Sequence, residues 1–564
     1  MDEQQHTMRG SHVKIIVLIW ADILAAYSVW LLMTYLTDVW KVSFTRAAAT
    51  VNIFTGASSV MQIGAAFLVD TLLGNYWMLF LSSVAYSIGL GFLSMSTPPV
   101  LSKATGTCSS YEKQCIGNVQ EILFYISLAL MAIGMAGHLV SLGSFMFEQV
   151  PEGEEGQEEE QQSTSALTII GFFAVVLIPI ISAFAIPYIK PWSVRFGIPA
   201  ICTVVATLIF MSGSCSYIRK GPKGSPYVRL IRVFVASTLK IHLPLPSNSN
   251  QLYENNDLEE ENLVPHTKGL RCLDKAAIIS SSPPLEEQEK NRWKLCRMTE
   301  VEETKITLRM IPMWLTFIVV GLVMSIGNTF FQEQANHMNP KLGKLKIPLP
   351  VLLMFYELAQ SQSAQYYYVL VSGWGQSVRK YAPAIGVGLG MLLSILCCIT
   401  AAKVEERRIG VIEKHGLLDK PDETIPMTMF WLLPQFLLLG GLDGLVNEGV
   451  LCFFRDQVPP SLQGHMLIFT DAVFGAGRIG GVLSVYVANK VSERGGKAGW
   501  FRHTLNKSRL DNYYWTLAVM SSINIVLYIL VAIWYAYRES AVDEEEIPED
   551  EEGNNFEEIW SCCC

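Results

Sequence analysis

Long apolar runs, each about the length of a bilayer crossing, govern what this chain can fold into. They fall near residues 13–36, 47–71, 76–97, 119–147, 165–189 and 193–213, then near 306–333, 348–372, 382–402, 425–454, 465–490 and 512–537. A hydrocarbon core about 30 Å thick takes about 20 helical residues per crossing. A soluble core would interleave its apolar residues with a polar face, and these runs do not. Between the sixth and seventh lies a polar stretch, residues 214–305. Six spans, a long connector and six more spans are the layout of a two-halved secondary carrier.

Composition narrows the function classes. Of 564 residues, 51% are hydrophobic and only 16% charged, and the net charge is −9. Soluble proteins carry about 25% charged residues, so a soluble enzyme is excluded. A nucleic-acid binder would show an organised basic stripe, and none is present. No nucleotide loop, metal-ligand spacing or catalytic triad appears, so neither an enzyme nor a cofactor or metal site is expected. Gly386-Val-Gly-Leu-Gly390 lies inside an apolar run with no preceding strand and reads as helix packing.

The 12 cysteines include no CxxC pair. Cys202, Cys397, Cys398 and Cys452 sit in apolar runs as small hydrophobes. Cys108 and Cys115 flank a short polar loop and form a disulfide if that loop faces outward. Cys562, Cys563 and Cys564 are not a prenylation box, since Ser561 stands at the fourth position from the end, but they are candidates for palmitoylation. The first run is too long for a cleavable signal peptide. Lysine and arginine divide evenly between the two sets of loops, so charge alone assigns no orientation. The acidic runs Pro151–Glu160 and Glu544–Glu551 read as solvated linkers. Residues 243–284 read as a disordered or partly helical connector, and the charged segment Glu300–Arg309 as a helix lying on the membrane surface.

Several strings then occur in one order. Asp70-Thr-Leu-Leu-Gly74-Asn-Tyr-Trp77 follows the second span, Phe196-Gly-Ile-Pro199 opens the sixth, and KGPKGSP runs from Lys220 to Pro226. Leu273-Asp-Lys-Ala-Ala277, Trp293-Lys-Leu-Cys296, Arg309-Met-Ile-Pro-Met-Trp314, Phe453-Phe-Arg-Asp-Gln457 and Gly495-Gly-Lys-Ala-Gly-Trp500 follow. Together they resemble the plant nitrate/peptide transporter family, within the proton-dependent oligopeptide transporters, from Tyr35 to Trp515. The resemblance implies a major-facilitator fold: an all-α membrane protein of 12 transmembrane helices in two six-helix bundles. The expected divisions are 1–213 and 306–538 for the bundles, 214–305 for a cytosolic loop and 539–564 for an acidic, cysteine-ended tail. Asp70 and Gly74 would belong to a gate between the bundles.

The chain also departs from that family. Its proton-coupling signature on helix 1, Glu-x-x-Glu-Arg/Lys, would fall on Leu18, Ala21 and Asp22, leaving one acid. A carboxylate that exchanges partners on protonation links proton binding to conformation, so Asp22 stands alone for that role. The family's helix 4 lysine falls on Leu139, with His138 beside it. His138 is either a proton relay or a hydrogen-bonded packing histidine. Asn75 replaces a basic residue after Gly74.

Charges inside lipid are costly and need a reason. Glu333 on the seventh span and Asp443 on the tenth join Asp22 and His138 as proton-coupling candidates. Gln62, Asn328, Glu357, Gln360, Glu448, Asp471 and Arg478 are cavity candidates. On the eighth span, Glu357, Gln360, Ser361, Ala364, Gln365 and Tyr368 form one polar stripe, either cavity lining or helix–helix hydrogen bonding. Arg478 is either a structural ion-pair partner of Asp443, Glu448 or Asp471, or an anchor for a solute's carboxylate or nitrate.

The resemblance implies a carrier for nitrate, short peptides or amino-acid-derived chelators such as nicotianamine. The added acids favour an amine-bearing solute over a bare anion. A pH-independent uniporter and a non-transporting sensor or scaffold are the alternatives. The expected partners are a small solute, protons and the lipid bilayer, and the expected location is the plasma membrane or an endomembrane such as the vacuolar membrane. Asn506-Lys-Ser508 is a glycosylation triplet if its loop faces outward.

Overall fold

The computed structural model describes residues 2–149, 177–222, 224–245, 252–253, 267, 269–280 and 284–546. The acidic run 151–160, the first half of the fifth span, the acidic tail from 547 and the three terminal cysteines lie outside them. With no water available inside a bilayer, each spanning segment must satisfy its own backbone, and helices do so. The spans are α1 (Val13–Asp38), α2 (Phe44–Leu68), α3 (Gly74–Met95), α4 (Asn118–Glu148), α5 (described over Leu177–Tyr188) and α6 (Trp192–Ser212). After the connector come α7 (Ile311–His337), α8 (Val351–Ser372), α9 (Ala382–Lys414), α10 (Leu433–Gln457), α11 (Pro460–Ser492) and α12 (Leu510–Tyr535).

Two bundles result. In the first, α1 packs on α6, α3 on α4 and α6, and α2 on α4. In the second, α9 packs on α10 and α12, α8 on α10, and α7 on α11 and α12. The principal contact between the bundles is α2 against α11. It depends on glycine: a Cβ at Gly56 would lie 2.6 Å from the Gly475 carbonyl oxygen, and one at Gly475 would lie 2.6 Å from Ser59 Cβ. Small residues let backbones approach in this way where lipid supplies no hydrophobic driving force between helices. Gly477 makes a similar approach to the Ile318 carbonyl on α7.

Outward faces carry large apolar side chains, among them Leu139, Ile201, Leu483 and Ile533. Buried polar groups are concentrated at helix contacts. At the bundle end opposite the connector, Arg408 and Glu405 on α9 pair at 2.6 Å with both side chains fully buried. Gln334 on α7 donates to Glu405, and Arg408 donates to Asn506. Asn506 in turn donates to the Leu417 carbonyl. Asn506 is therefore a buried structural residue, which removes it as a glycosylation acceptor. Cys108 and Cys115 are joined as a disulfide in the α3–α4 loop.

Four other expectations are corrected. The tenth span begins later than residue 425, because Ile425–Thr428 is a short strand paired parallel with Met338–Asn339 after α7. Arg309 lies before the seventh span, ending the helix Met298–Arg309 and donating to Thr267 Oγ1. That helix does not lie on a membrane surface with its charges outward. It buries Glu300, Glu302, Glu303 and Lys305 against the connector, where Lys305 pairs with Glu302 at 2.7 Å and Asp274 at 2.6 Å. Residues 269–280 are correspondingly ordered. Leu273, Ala276 and Ala277 pack with Val233 and Ala236 of the helix Pro226–Leu239 and with Cys296, Met298 and Val301. The remainder of 243–284 falls largely outside the described residues.

Two expected outcomes follow from this packing. Burial pushes the Lys240 ammonium down to about 8 from an ordinary 10.5, while its Nζ donates to the Ala276 and Ile278 carbonyls. Between those values the folded connector binds fewer protons than the unfolded chain, so its stability rises as pH climbs through that window. Amide hydrogen exchange of residues 226–239 against pH checks this, and Lys240→Met is expected to flatten the dependence. Gly475→Leu drives a side chain into the α2 backbone and is expected to cost about 1–3 kcal/mol. Gly480→Leu is expected to be tolerated, since a Cβ added there would meet no atom within 4 Å. Thermal unfolding in detergent distinguishes the two.

Candidate functional site

The α2–α11 contact places polar side chains face to face between the bundles. Ser59 and Gln62 are three residues apart on α2, and Asp471 and Arg478 are seven apart on α11, so each pair shares a helix face. Gln62 Nε2 donates to Asp471 Oδ2 at 3.0 Å, and Arg478 Nη1 donates to Ser59 Oγ at 3.0 Å. Among the described residues no carboxylate is in ion-pair contact with Arg478; its close partner is that serine. Asp443 on α10 is nevertheless within electrostatic reach of both Arg478 and Asp471.

Asp443 is held from two sides. Tyr356 on α8 donates its hydroxyl to one carboxylate oxygen, and Asn447, one turn along α10, donates to the other at 2.5 Å. Close approach of α8 and α10 makes this possible, since a Cβ at Gly444 would lie 2.1 Å from the Gln360 carbonyl oxygen. Gln360 thereby contributes main chain to that contact. Glu357, next to Tyr356, points the other way and accepts from Tyr27 of α1 at 2.5 Å.

The α1–α7 contact continues this seam toward the end opposite the connector. Trp30 Nε1 donates to Asn328 Oδ1 at 3.0 Å. Asn328 lies in the π-helical turn Gly327–Phe331, a local widening often found at functional positions. Gln332 donates to the Trp30 carbonyl at 2.8 Å. Glu333 accepts from Thr37 at 3.1 Å and pairs with His337 at 3.0 Å, while Asn336 donates to Asp38. The sequence-derived acid Glu333 therefore sits in this seal, away from Asp443.

Within the first bundle, His138 on α4 meets Asp22 on α1, Nδ1 to Oδ2, at 2.7 Å. Its Nε2 lies 2.7 Å from Ser83 Oγ on α3. The adjacent Leu139 is 63% exposed on the outer face, so of the two neighbours it is His138 that reaches the bundle interior.

At the connector end, α2 runs into the π-turn Val69–Leu73, closed by Gly74 at φ +69°. A side chain there would be strained, and its Cβ would lie 3.1 Å from the Lys220 carbonyl oxygen. This turn presents Asp70 to His465 at the start of α11, Oδ2 to Nε2, at 2.7 Å. Gly224 N donates to the Asp70 carbonyl, and the Tyr227 ring stands edge-on to His465. Burial pushes the Tyr227 phenol up, reinforced by the Asp70 charge. Glu303 of the connector joins Arg229 at 2.9 Å to Ser461 at 3.1 Å. Burial pushes its carboxyl up, and the Arg229 guanidinium opposes that shift. Asn75 donates to Glu148 at 2.8 Å.

The structure thus brings Gln62, Asp443, Asp471 and Arg478 into one neighbourhood, with Glu357 alongside through Tyr356. It pairs Asp22 with His138, and Asn328 and Glu333 line the α1–α7 seal. Glu448 is elsewhere, accepting from Cys452 beside a crevice bordered by Tyr367 and Tyr368. Tyr27, Ser59, Ser83, Tyr356 and His465 were not singled out from sequence. Tyrosine and serine are ordinary span residues, and only their partners give them meaning. A cavity of about 750 Å³ opens between α9, α10 and α12, but its apolar lining of Val387, Leu392, Phe453 and Ile529 does not suit a polar solute.

Comparison with known proteins fits this arrangement. Residues 76–501 match the family model described as PTR2, POT family. The Arabidopsis thaliana protein NRT1/PTR FAMILY 5.5 is 42% identical over 523 residues, covering 92% of this chain and 96% of the relative. NRT1/PTR FAMILY 5.6 from the same plant is 30% identical over 512 residues, covering 89% and 86%. The fold matches the crystal structure of an auto-inhibited POT family peptide transporter with a TM-score of 0.63 at 15% identity, covering 98% of this chain and 99% of that one. A POT family transporter crystallised with 5-aminolevulinic acid aligns with a TM-score of 0.57 at 12% identity, covering 93% and 96%. The architecture is the major-facilitator fold, with the described helices divided between two bundles. The protein is a multi-pass membrane transporter and belongs to the POT family, in its plant NRT1/PTR group.

Proposed function

We propose that this transporter carries a small organic solute bearing both an amine and a carboxylate, such as a short peptide or an amino-acid-derived chelator. The observation that carries the reading is Arg478. Its guanidinium stands at the bundle interface, held by Ser59, with no ion-pair partner among the described residues. A cation kept at such cost in a spanning segment needs an anion to meet, and a guanidinium offers paired donors to a carboxylate.

The surrounding charge supports one class of solute over another. Glu357, Asp443 and Asp471 outnumber the single guanidinium, and only Asp443 is bound by both a tyrosine and an asparagine. Acids around one cation suit an ammonium group at the other end of the solute better than a bare anion. The same-fold neighbour crystallised with 5-aminolevulinic acid, a molecule with both groups, supports the reading. Nitrate is the second reading, because Arg478 with Ser59 and Gln62 forms a small donor set.

Alternating access would exchange two sets of contacts around this neighbourhood. One is the α1–α7 seal at Trp30, Asn328 and Glu333, and the other is the Asp70–His465 contact at the connector end. With the connector on the cytosolic side, as the resemblance to the family implies, the Asp70–His465 contact would be the inner gate and the α1–α7 seal the outer one.

Uptake of labelled dipeptide, nicotianamine and nitrate in oocytes tests the proposal. Arg478→Ala is expected to lower uptake of the carried solute about 10- to 100-fold, the range for losing a hydrogen-bonded charge contact, with surface expression unchanged. Glu357→Gln is expected to impair amine-bearing solutes selectively. Nitrate uptake untouched by Glu357→Gln, with no uptake of the other two, would replace the proposal with the nitrate reading. Surface-expressed protein that moves none of the three solutes would overturn it.

A further inference from the structure

Glycine draws α9 and α10 together and leaves a gap beside them. A Cβ at Gly449 would lie 2.9 Å from the Pro383 carbonyl oxygen, and one at Gly390 would lie 2.6 Å from Val446 Cγ2. Hydrogen bonds of its own fix α12 on the same bundle: Tyr528 donates to the Ala384 carbonyl and Asn524 to the Thr316 carbonyl, both at 2.9 Å. Between these contacts Gly388 contributes no side chain. Among the described residues, a Cβ there would meet only the Tyr528 ring, at 3.7 Å. The result is the cavity of about 750 Å³ between α9, α10 and α12, a size ordinary for a small-molecule site.

Its polarity runs in one direction. On the connector side α9 starts, and α10 and α12 end. The polar side chains Lys380, Tyr381, Gln457 and Tyr535 all lie at that end of the lining. Deeper in, the Tyr528 hydroxyl is taken by Ala384, and the walls are apolar, as at Val387, Phe453 and Ile529. The lining runs from Tyr381 to Leu392 on α9 and from Ile525 to Tyr535 on α12. Each stretch gives about 15 Å of wall at about 1.5 Å per residue, half of a hydrocarbon core about 30 Å thick. Leu392, Ile529 and Ile533 are exposed on the outer face, so the cavity opens sideways toward lipid. Water does not fill an apolar space of this kind.

We propose that the cavity binds an anionic phospholipid from the leaflet on the connector side, with one acyl chain along Gly388 and Tyr528 and the headgroup at the α8–α9 loop. That loop carries Arg379 and Lys380 in succession, and Lys380 borders the cavity. Basic pockets between spanning helices recognise anionic headgroups. A depth of one leaflet matches a chain that enters at headgroup level and stops at the midplane. Walls on three helices distinguish the site from lipid that coats an outward face, such as those of Leu139 and Leu483. The site is separate from the Arg478 neighbourhood and does not depend on which solute is carried.

Photolabelling of the full-length protein tests this without any transport measurement. Two probes are compared in phosphatidylcholine nanodiscs: phosphatidylglycerol and phosphatidylcholine, each with a diazirine at the end of one acyl chain. Peptide mapping is expected to find the phosphatidylglycerol label concentrated in residues 382–392 and 525–535, above the faces around Leu139 and Leu483. The phosphatidylcholine probe is expected to label those segments about five-fold less, the discrimination of one basic residue near the surface, and Lys380→Gln to bring the two probes together. Gly388→Leu places a side chain in the cavity and is expected to lower labelling there while leaving the other faces unchanged. Labelling spread evenly over all outward faces would mean coating lipid alone and overturns the proposal. Equal labelling by the two probes in the unmodified protein overturns the anionic assignment. Labelling that appears only after residues 547–564 are removed also overturns it, because the chain's own tail then fills the cavity. The comparisons of faces and of probes need no variant, so a substitution that fails to fold does not shield the proposal.

Discussion

The backbone contact between α2 and α11 is what the rest of the interface depends on. Gly56 and Gly475 leave no room for a side chain on either helix. Only at that separation can Ser59 and Gln62 reach Arg478 and Asp471. In lipid the helices gain nothing by hiding apolar surface from one another, so close van der Waals approach and cross-helix hydrogen bonds hold the bundles together. The same helices end in the Asp70–His465 pair at the connector end, so one line of contact links the candidate solute site to the candidate gate.

Polar groups in this molecule are partitioned by role. Arg408 and Glu405 are fully buried and saturated by Gln334, Asn506 and each other, and they join α7 and α9 to the loop before α12. Lys305, Asp274 and Glu302 do the same for the connector. Such closed networks fix structure, because removing one partner leaves a charge stranded. Arg478 differs in having a hydroxyl where the others have carboxylates. That contrast, more than the presence of charge in a span, distinguishes a candidate ligand group from a structural one.

Much of the architecture was legible in the sequence because lipid imposes a length and a composition on every crossing. The eighth span shows the limit. Its polar stripe keeps α8 out of the set of helices apolar enough to cross by composition alone, yet it packs on α10 as a full span. The run beginning at residue 425 shows the opposite limit, since a short apolar strand and a helix start have the same composition. The connector's order is not legible in its composition because it comes from Lys305 and Lys240, whose partners Asp274 and Ala276 lie over 30 residues away. Charged sequence reads as solvated until such partners are known.

By itself the sequence determined that the chain crosses a membrane repeatedly in two halves, and which residue types it places there at a cost. Spacing along a helix set which of them share a face, as for Asp471 and Arg478. Tertiary structure alone decided partnership. It joined Asp22 to His138 across 116 positions, separated Glu333 from Asp443, and set Glu448 apart from Arg478. The physical reason is range: helical periodicity orders neighbours three to seven residues apart, whereas a buried charge is defined by whatever helix is packed against it.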